Sequence, residues 1–174
     1  MERFEAAWEL ETGHAESVQG AFENEGWTLQ CTNTRLDVQY VVRCSPTWQI
    51  RQLLLFRDLE EPDLWLATDG GGRWGEMNGA HRTDLDGCSD LSITGSVLSL
   101  ALPVLRLPLQ PGDRAEVHTA EVDTGLLMVL PQHERFHRIE QRRWTRESIV
   151  SQAMAEWEVD ERGLPTDGDG FRRR

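Results

Sequence analysis

Residues 96–113 read SVLSLALPVLRLPLQPGD, and their apolar positions change parity in the middle. Leu98, Leu100, Leu102 and Val104 fall on one face of an extended chain, whereas Leu105, Leu107 and Leu109 fall on the other. In a strand that shift means a bulge or a sharp bend, and neither Pro103 nor Pro108 can donate to a central ladder. The stretch therefore predicts a corner, or a crossing from one part of a curved sheet to another. Arg106 is the one positive charge embedded in it.

Outward from this stretch, alternation of apolar and polar residues dominates the first two thirds of the chain, the period of a half-buried strand. Val18, Gly20 and Phe22 alternate up to Asn24, Glu25 and Gly26, and Trp27, Leu29 and Cys31 alternate after it, which predicts a hairpin with a short loop containing glycine. Val38, Tyr40, Val42 and Cys44 form the next strand, ended by Ser45 and Pro46. Trp48, Ile50, Leu54 and Phe56 form another, with Gln52 breaking its register. Leu64, Trp65 and Leu66 lead into Asp69, Gly70, Gly71 and Gly72, a turn that glycine backbone makes cheaply. Residues 114–122 are again strand-like, and 126–130 is a short apolar run. Short strands at such spacing predict an all-β sandwich, barrel or roll. Residues 144–157 leave helix and strand open, because Ile149, Val150, Ala153, Met154 and Trp157 also fit a period of 3.6. Residues from about 160 to 174, rich in Gly, Pro and Asp, predict an extended or turning tail, and no linker divides the single domain of residues 1–174.

The charge balance restricts the partners. All 18 basic residues are Arg, against 30 acidic ones, for a net charge of −12 over 174 residues. The absence of Lys excludes a lysine Schiff base, a P-loop and a catalytic lysine. An acidic surface repels nucleic-acid phosphate and anionic membranes, so the ligand should be neutral, cationic, or held in a pocket the surface field does not govern. The opening residues MERFEAAWELETGHAE carry no readable secretory signal. The longest uncharged stretch, residues 91–105, is too short to span a bilayer. Cys31, Cys44 and Cys88 match no zinc spacing and read as buried thiols of a reducing, cytoplasmic compartment.

Few residues suggest catalysis. His133 and His137 flank Glu134 at a spacing that could serve a metal, but no third ligand is evident and the segment reads as a solvated charged face, so no metal or cofactor is expected. No Ser sits in a nucleophile elbow. Trp8, Trp27, Trp48, Trp65, Trp74, Trp144 and Trp157 are core candidates first, and a subset could stack on sugar rings or line a lipid chain.

Residues 85–107, LDGCSDLSITGSVLSLALPVLRL, resemble a bacterial glycolipid-binding family, formerly a domain of unknown function. Gly87, Cys88, Asp90, Leu102, Pro103, Arg106 and Leu107 match its pattern without a gap, whereas Ser92, Val97, Leu100 and Leu105 depart from it. Looser similarity extends over Trp8, Gly13 and Glu16, over Tyr40, Val42, Cys44 and Trp48, and over Val159, Asp160, Gly163, Leu164, Gly170 and Phe171. The resemblance implies a strongly curved antiparallel β-roll or half-barrel with little helix, similar to lipid carriers. It also implies a non-enzymatic protein with an apolar cleft for a glycolipid or lipid.

Within that reading, Tyr40, Trp48 and Trp65 are candidate cleft residues, and Asp90 and Arg106 are the polar pair that either meets the ligand or fixes the fold. A buried Arg must find an acid or a headgroup, because an unpaired buried charge is costly. The ligand is a small amphiphile, no nucleic acid or membrane insertion is expected, and a homodimer stays open. The alternative is a small hydrolase or lyase acting on a lipid or sugar, in which His81 works with Asp84 or Asp86. A third reading, a structural partner protein, predicts a large flat apolar patch.

Overall fold

The structure is a computed structural model and describes residues 2–58 and 60–174. The alternating segments form β1 (Arg3–Leu10), β2 (Ala15–Glu23), β3 (Gly26–Asn33), β4 (Val38–Cys44), β5 (Ile50–Phe56), β6 (Leu64–Thr68) and β7 (Trp74–Glu76). The second half supplies β8 (Asp90–Ile93), β9 (Arg114–Asp123), β10 (Met128–Arg138), β11 (Arg143–Ser148), β12 (Met154–Val159), β13 (Pro165–Gly168) and β14 (Phe171–Arg173). Among the described residues they build one 14-stranded sheet, ordered β7-β6-β5-β4-β3-β2-β1-β14-β13-β12-β11-β10-β9-β8. It is strongly curved and unclosed. Two antiparallel meanders meet where the first strand pairs with the last, Trp8 opposite Arg173 and Leu10 opposite Phe171. Only β8 runs parallel to its neighbour β9, and all four of its residues are buried, as a strand covered on both faces requires.

The predicted hairpin is β2 and β3. Its turn residues, Asn24 and Glu25, take φ of 51° and 61°, a mirror-image turn whose twist matches that of the strands. Gly26 begins β3, where an added Cβ would stand 2.5 Å from the Cys44 carbonyl oxygen. Strand β5 differs from its expected register, because Ile50, Leu53 and Leu55 face the core instead of Ile50, Leu54 and Phe56. The pairing shifts between Arg43 and Cys44, so a bulge at Arg51 reverses the parity.

The largest correction concerns residues 96–109. They do not form a bent strand: Leu98–Arg106 is an α-helix, α1, packed against β8 and β13. The parity change is the signature of a 3.6-residue period, and Leu98, Ser99, Leu100, Ala101, Leu102 and Pro103 are all buried. A helix apolar all round belongs in an interior. Together with the fully buried Trp8, Trp74, Trp144, Trp157, Tyr40 and Phe136, it fills the space expected to be an open cleft. Residues 144–157, open between helix and strand, are β11 and β12, with Trp144 directly opposite Trp157. The C-terminal residues are extended, as β13 and β14, and join the two meanders.

What holds α1 in place is a carboxylate on another element. Glu16 of β2 is wholly buried, and its oxygens accept from the backbone N–H of Val97 (2.7 Å) and Leu98 (3.3 Å), from Ser96 Oγ (2.7 Å) and from Asn33 Nδ2 (3.0 Å). The Tyr40 hydroxyl donates to Oε1 at 2.5 Å. Helix N-termini leave backbone donors without internal partners and carry partial positive charge, so an anion there satisfies both deficits. Burial and the nearby Glu16 charge push the Tyr40 hydroxyl well above its ordinary pKa, so Tyr40 stays a donor. Glu16→Ala strands these donors in the interior. We expect urea unfolding to show a loss of about 3–5 kcal/mol, against less than about 0.5 kcal/mol for the exposed control Gln19→Ala.

Candidate functional site

The C-terminal turn of α1 lies where the two edges of the sheet approach. Trp74 Nε1 of β7 donates to the Cys88 carbonyl (2.9 Å), Gly87 N donates to the Gly72 carbonyl (2.9 Å), and Ser89 N donates to the His118 carbonyl of β9 (2.9 Å). Residues 87–89 therefore stitch a seam that strand pairing leaves open. The seam needs glycine: Gly72 and Gly87 have φ of 91° and 89°, and a Cβ on Gly72 would stand 3.4 Å from the Gly87 backbone.

Arg106 reaches this seam from the last turn of α1. Its Nε donates to Asp90 Oδ1 (2.9 Å) and its Nη2 to Asp90 Oδ2 (2.5 Å), and Ser89 Oγ donates to Oδ2 (2.8 Å). Asp90 is 1% exposed, so the pair is bidentate and largely desolvated on the acid's side. Arg106 Nη1 has no protein partner among the described residues, and the side chain lines a cavity of about 270 Å³. That cavity is mixed in character, walled by glycines 70–72, residues 87–89, Gln49, Ile50 and Thr68. Cys88 is part of the wall, and burial, with Asp84, Asp90 and Asp86 nearby, pushes its thiol up to about 11.

On another side of the same turn is a cleft of about 500 Å³. Val104, Leu105, Leu107, Val159 and Trp144 give it an apolar floor, and Arg138, Arg142 and Arg162 stand around it with Gln141, Asp160 and Glu161. Sequence reasoning did not assign these residues. The available signal was the crowding of Arg138, Arg142, Arg143 and Arg146 in an otherwise acidic chain.

The candidate residues are only partly brought together. Asp90 and Arg106 form the pair described. Tyr40 is sealed in the interior against Glu16 and Ser96. Trp48, at φ 64°, stacks on Trp27 with ring centroids 4.6 Å apart, in a cluster with Phe4. Trp65 stands opposite Leu54 on the face pointing away from the core. His81 Nε2 lies 2.7 Å from Asp86 Oδ1 and its Nδ1 3.2 Å from Arg73, at the surface and in neither cavity. Asp84 is instead held by Arg82. His133 stacks on His118 with centroids 4.5 Å apart, and no cluster of three or more metal-ligating residues occurs among the described residues. A further concavity of about 550 Å³, on the outer face of β1–β5, is lined by the exposed Ser17, Gln19, Gln30, Thr32 and Gln39, an ordinary solvated sheet face. No helix is long and apolar enough to cross a membrane among the described residues.

The family described as “Putative glycolipid-binding” matches residues 3–174. A crystal structure of a DUF1089 family protein from Pseudomonas aeruginosa superposes with a TM-score of 0.75 at 26% identity, covering 100% of this chain and 93% of that one. No curated protein matches the chain significantly.

Two outcomes follow from the seam. Arg106→Ala leaves Asp90 buried without its cation, so urea unfolding should show a loss of about 3 kcal/mol or more, with Arg106→Lys restoring part of it. With a thiol pKa of about 11, Cys88 should resist iodoacetamide in the native protein at neutral pH, and its modification, followed by peptide mass analysis, should rise only in strongly alkaline solution.

Proposed function

Because this chain belongs to the family described as “Putative glycolipid-binding”, we propose that it holds a glycolipid-type amphiphile across the C-terminal turn of α1. The headgroup hydroxyls enter the smaller cavity, where the outer edge of Arg106, Gln49, Thr68 and Ser89 offer hydrogen bonds. The apolar portion lies on Val104, Leu105 and Leu107. The observation that carries this reading is the segment 104–107 itself, which contributes Arg106 to the smaller cavity and three apolar side chains to the floor of the larger cleft. Pockets of this size, apolar with a few convergent polar groups, are typical of small-ligand sites. Arg106 is then anchor and contact at once: Asp90 fixes its plane and charge, and the remaining N–H groups are offered outward. No step of chemistry is required of any residue here, and binding is the whole of the proposed activity.

The test is native mass spectrometry of the purified protein with solvent extraction, followed by titration with a dodecyl glycoside. A co-purified amphiphile, or saturable binding weakened roughly tenfold by Leu105→Gln through the loss of buried apolar contact, is the expected result. The absence of both a bound amphiphile and any response to the glycoside removes the proposal.

A further inference from the structure

The charges around the cleft beside Val104, Leu105 and Leu107 are not balanced. Among the acids that line it, Glu161 is paired with Arg142 (2.8 Å), and Asp160 lies 3.5 Å from Arg173 while its Oδ1 accepts the backbone N–H groups of Arg162 and Leu164 (2.9 Å each). Among the described residues Arg138 has only carbonyl hydrogen-bond partners: its guanidinium donates to the Gln141 carbonyl (2.7 Å) and the Leu109 carbonyl (2.7 Å) and lies 5.7 Å from the Trp144 ring centre. The Arg162 side chain has no partner among the described residues. Two guanidinium groups without a carboxylate therefore face an apolar floor in a protein of net charge −12, where an acid could have been placed at almost any position.

The ring of Trp144 lines the cleft with Arg138 5.7 Å from its centre, so an apolar surface lies directly beside a cation. Its indole Nε1–H is buried away from solvent and, like that of Trp157 opposite it, has no acceptor among the described residues.

We propose that the cleft at the C-terminal end of α1 selects amphiphiles with an anionic group, a carboxylate or phosphate on an alkyl chain, whose oxygens meet Arg138 and Arg162 beside the Trp144 ring. This rests on the reading that an amphiphile binds here, and adds the charge of what it carries. Arg138 is pre-positioned by its two carbonyl partners, so little side-chain freedom is lost on binding. The negative exterior slows the approach of such a ligand, while the local pair of cations holds it, and binding weakens as salt screens the attraction.

The experiment titrates the intact protein with dodecyl phosphate, laurate and dodecyl maltoside, which share a twelve-carbon chain, and with inorganic phosphate alone, each below its micelle concentration. Calorimetry reads affinity, and the indole N–H resonances of the protein report contact with Trp144. The expected result is that the two anionic chains bind at least about tenfold more tightly than the maltoside and shift one indole N–H resonance, and that inorganic phosphate binds weakly. Arg162→Gln, at an exposed side chain with no partner to lose, should narrow the gap without moving the melting temperature, and Trp144→Phe should abolish the resonance shift. Equal affinity for all three chains overturns the anion selectivity and leaves the amphiphile reading standing. Binding of none overturns both. Inorganic phosphate binding as tightly as dodecyl phosphate overturns the proposal in favour of a simple anion site.

Discussion

The interior of this protein depends on a buried carboxylate that has no cation beside it among the described residues. Glu16 is compensated by hydrogen-bond donors alone: two backbone N–H groups at the start of α1, two hydroxyls and one side-chain amide. A carboxylate taken out of water is stable only when its lone pairs are filled. Here the donors come from β3, β4 and the approach to α1, and so the acid ties the N-terminal meander to the helix inside the roll. Remove it and the helix start, the Asn33 amide and the Tyr40 hydroxyl all lose their partner together.

The other end of the same helix faces the opposite problem. Its last turn carries Arg106 to the acid that opens β8, and the flanking Val104, Leu105 and Leu107 are left half-covered. One end of α1 is closed by a satisfied anion and the other is left open around cations. A rigid plug fixed at one end gives the open end fixed positions, which is what a recognition surface needs.

The strands were legible in the sequence, because alternation in β2, β3 and β4 reports directly on which side chains face the core. The turn at Asn24 and Glu25 and the glycines after Asp69 were legible for the same local reason. Strand β5 was read one residue out of step, since a bulge at Arg51 is a two-strand event that one strand's pattern does not reveal. The helix was missed because Pro103 argues against it locally and the parity change of the leucines fits a bent strand as well as a 3.6-residue period, so that only burial on every side separates the two. Of the site, the Asp90 and Arg106 pair followed from the cost of an embedded charge, whereas Tyr40, Trp48 and Trp65 were chosen by residue type, which does not distinguish a core from a cleft. The arginines of β10, of the turn that follows it and of the turn before β13 could not be joined to Val104 and Leu107 without the topology that brings them together.

The pairing of β1 with β14 also governs when the fold can form. Trp8 waits for Arg173, far along the chain, before the two meanders can be joined. Until then β1 presents an unpaired strand edge, and α1 has only part of the wall that will enclose it. Such long-range closure slows folding and leaves edges open to other chains meanwhile. The sheet is thus two separate ribbons until strands more than 150 residues apart in the chain lie side by side.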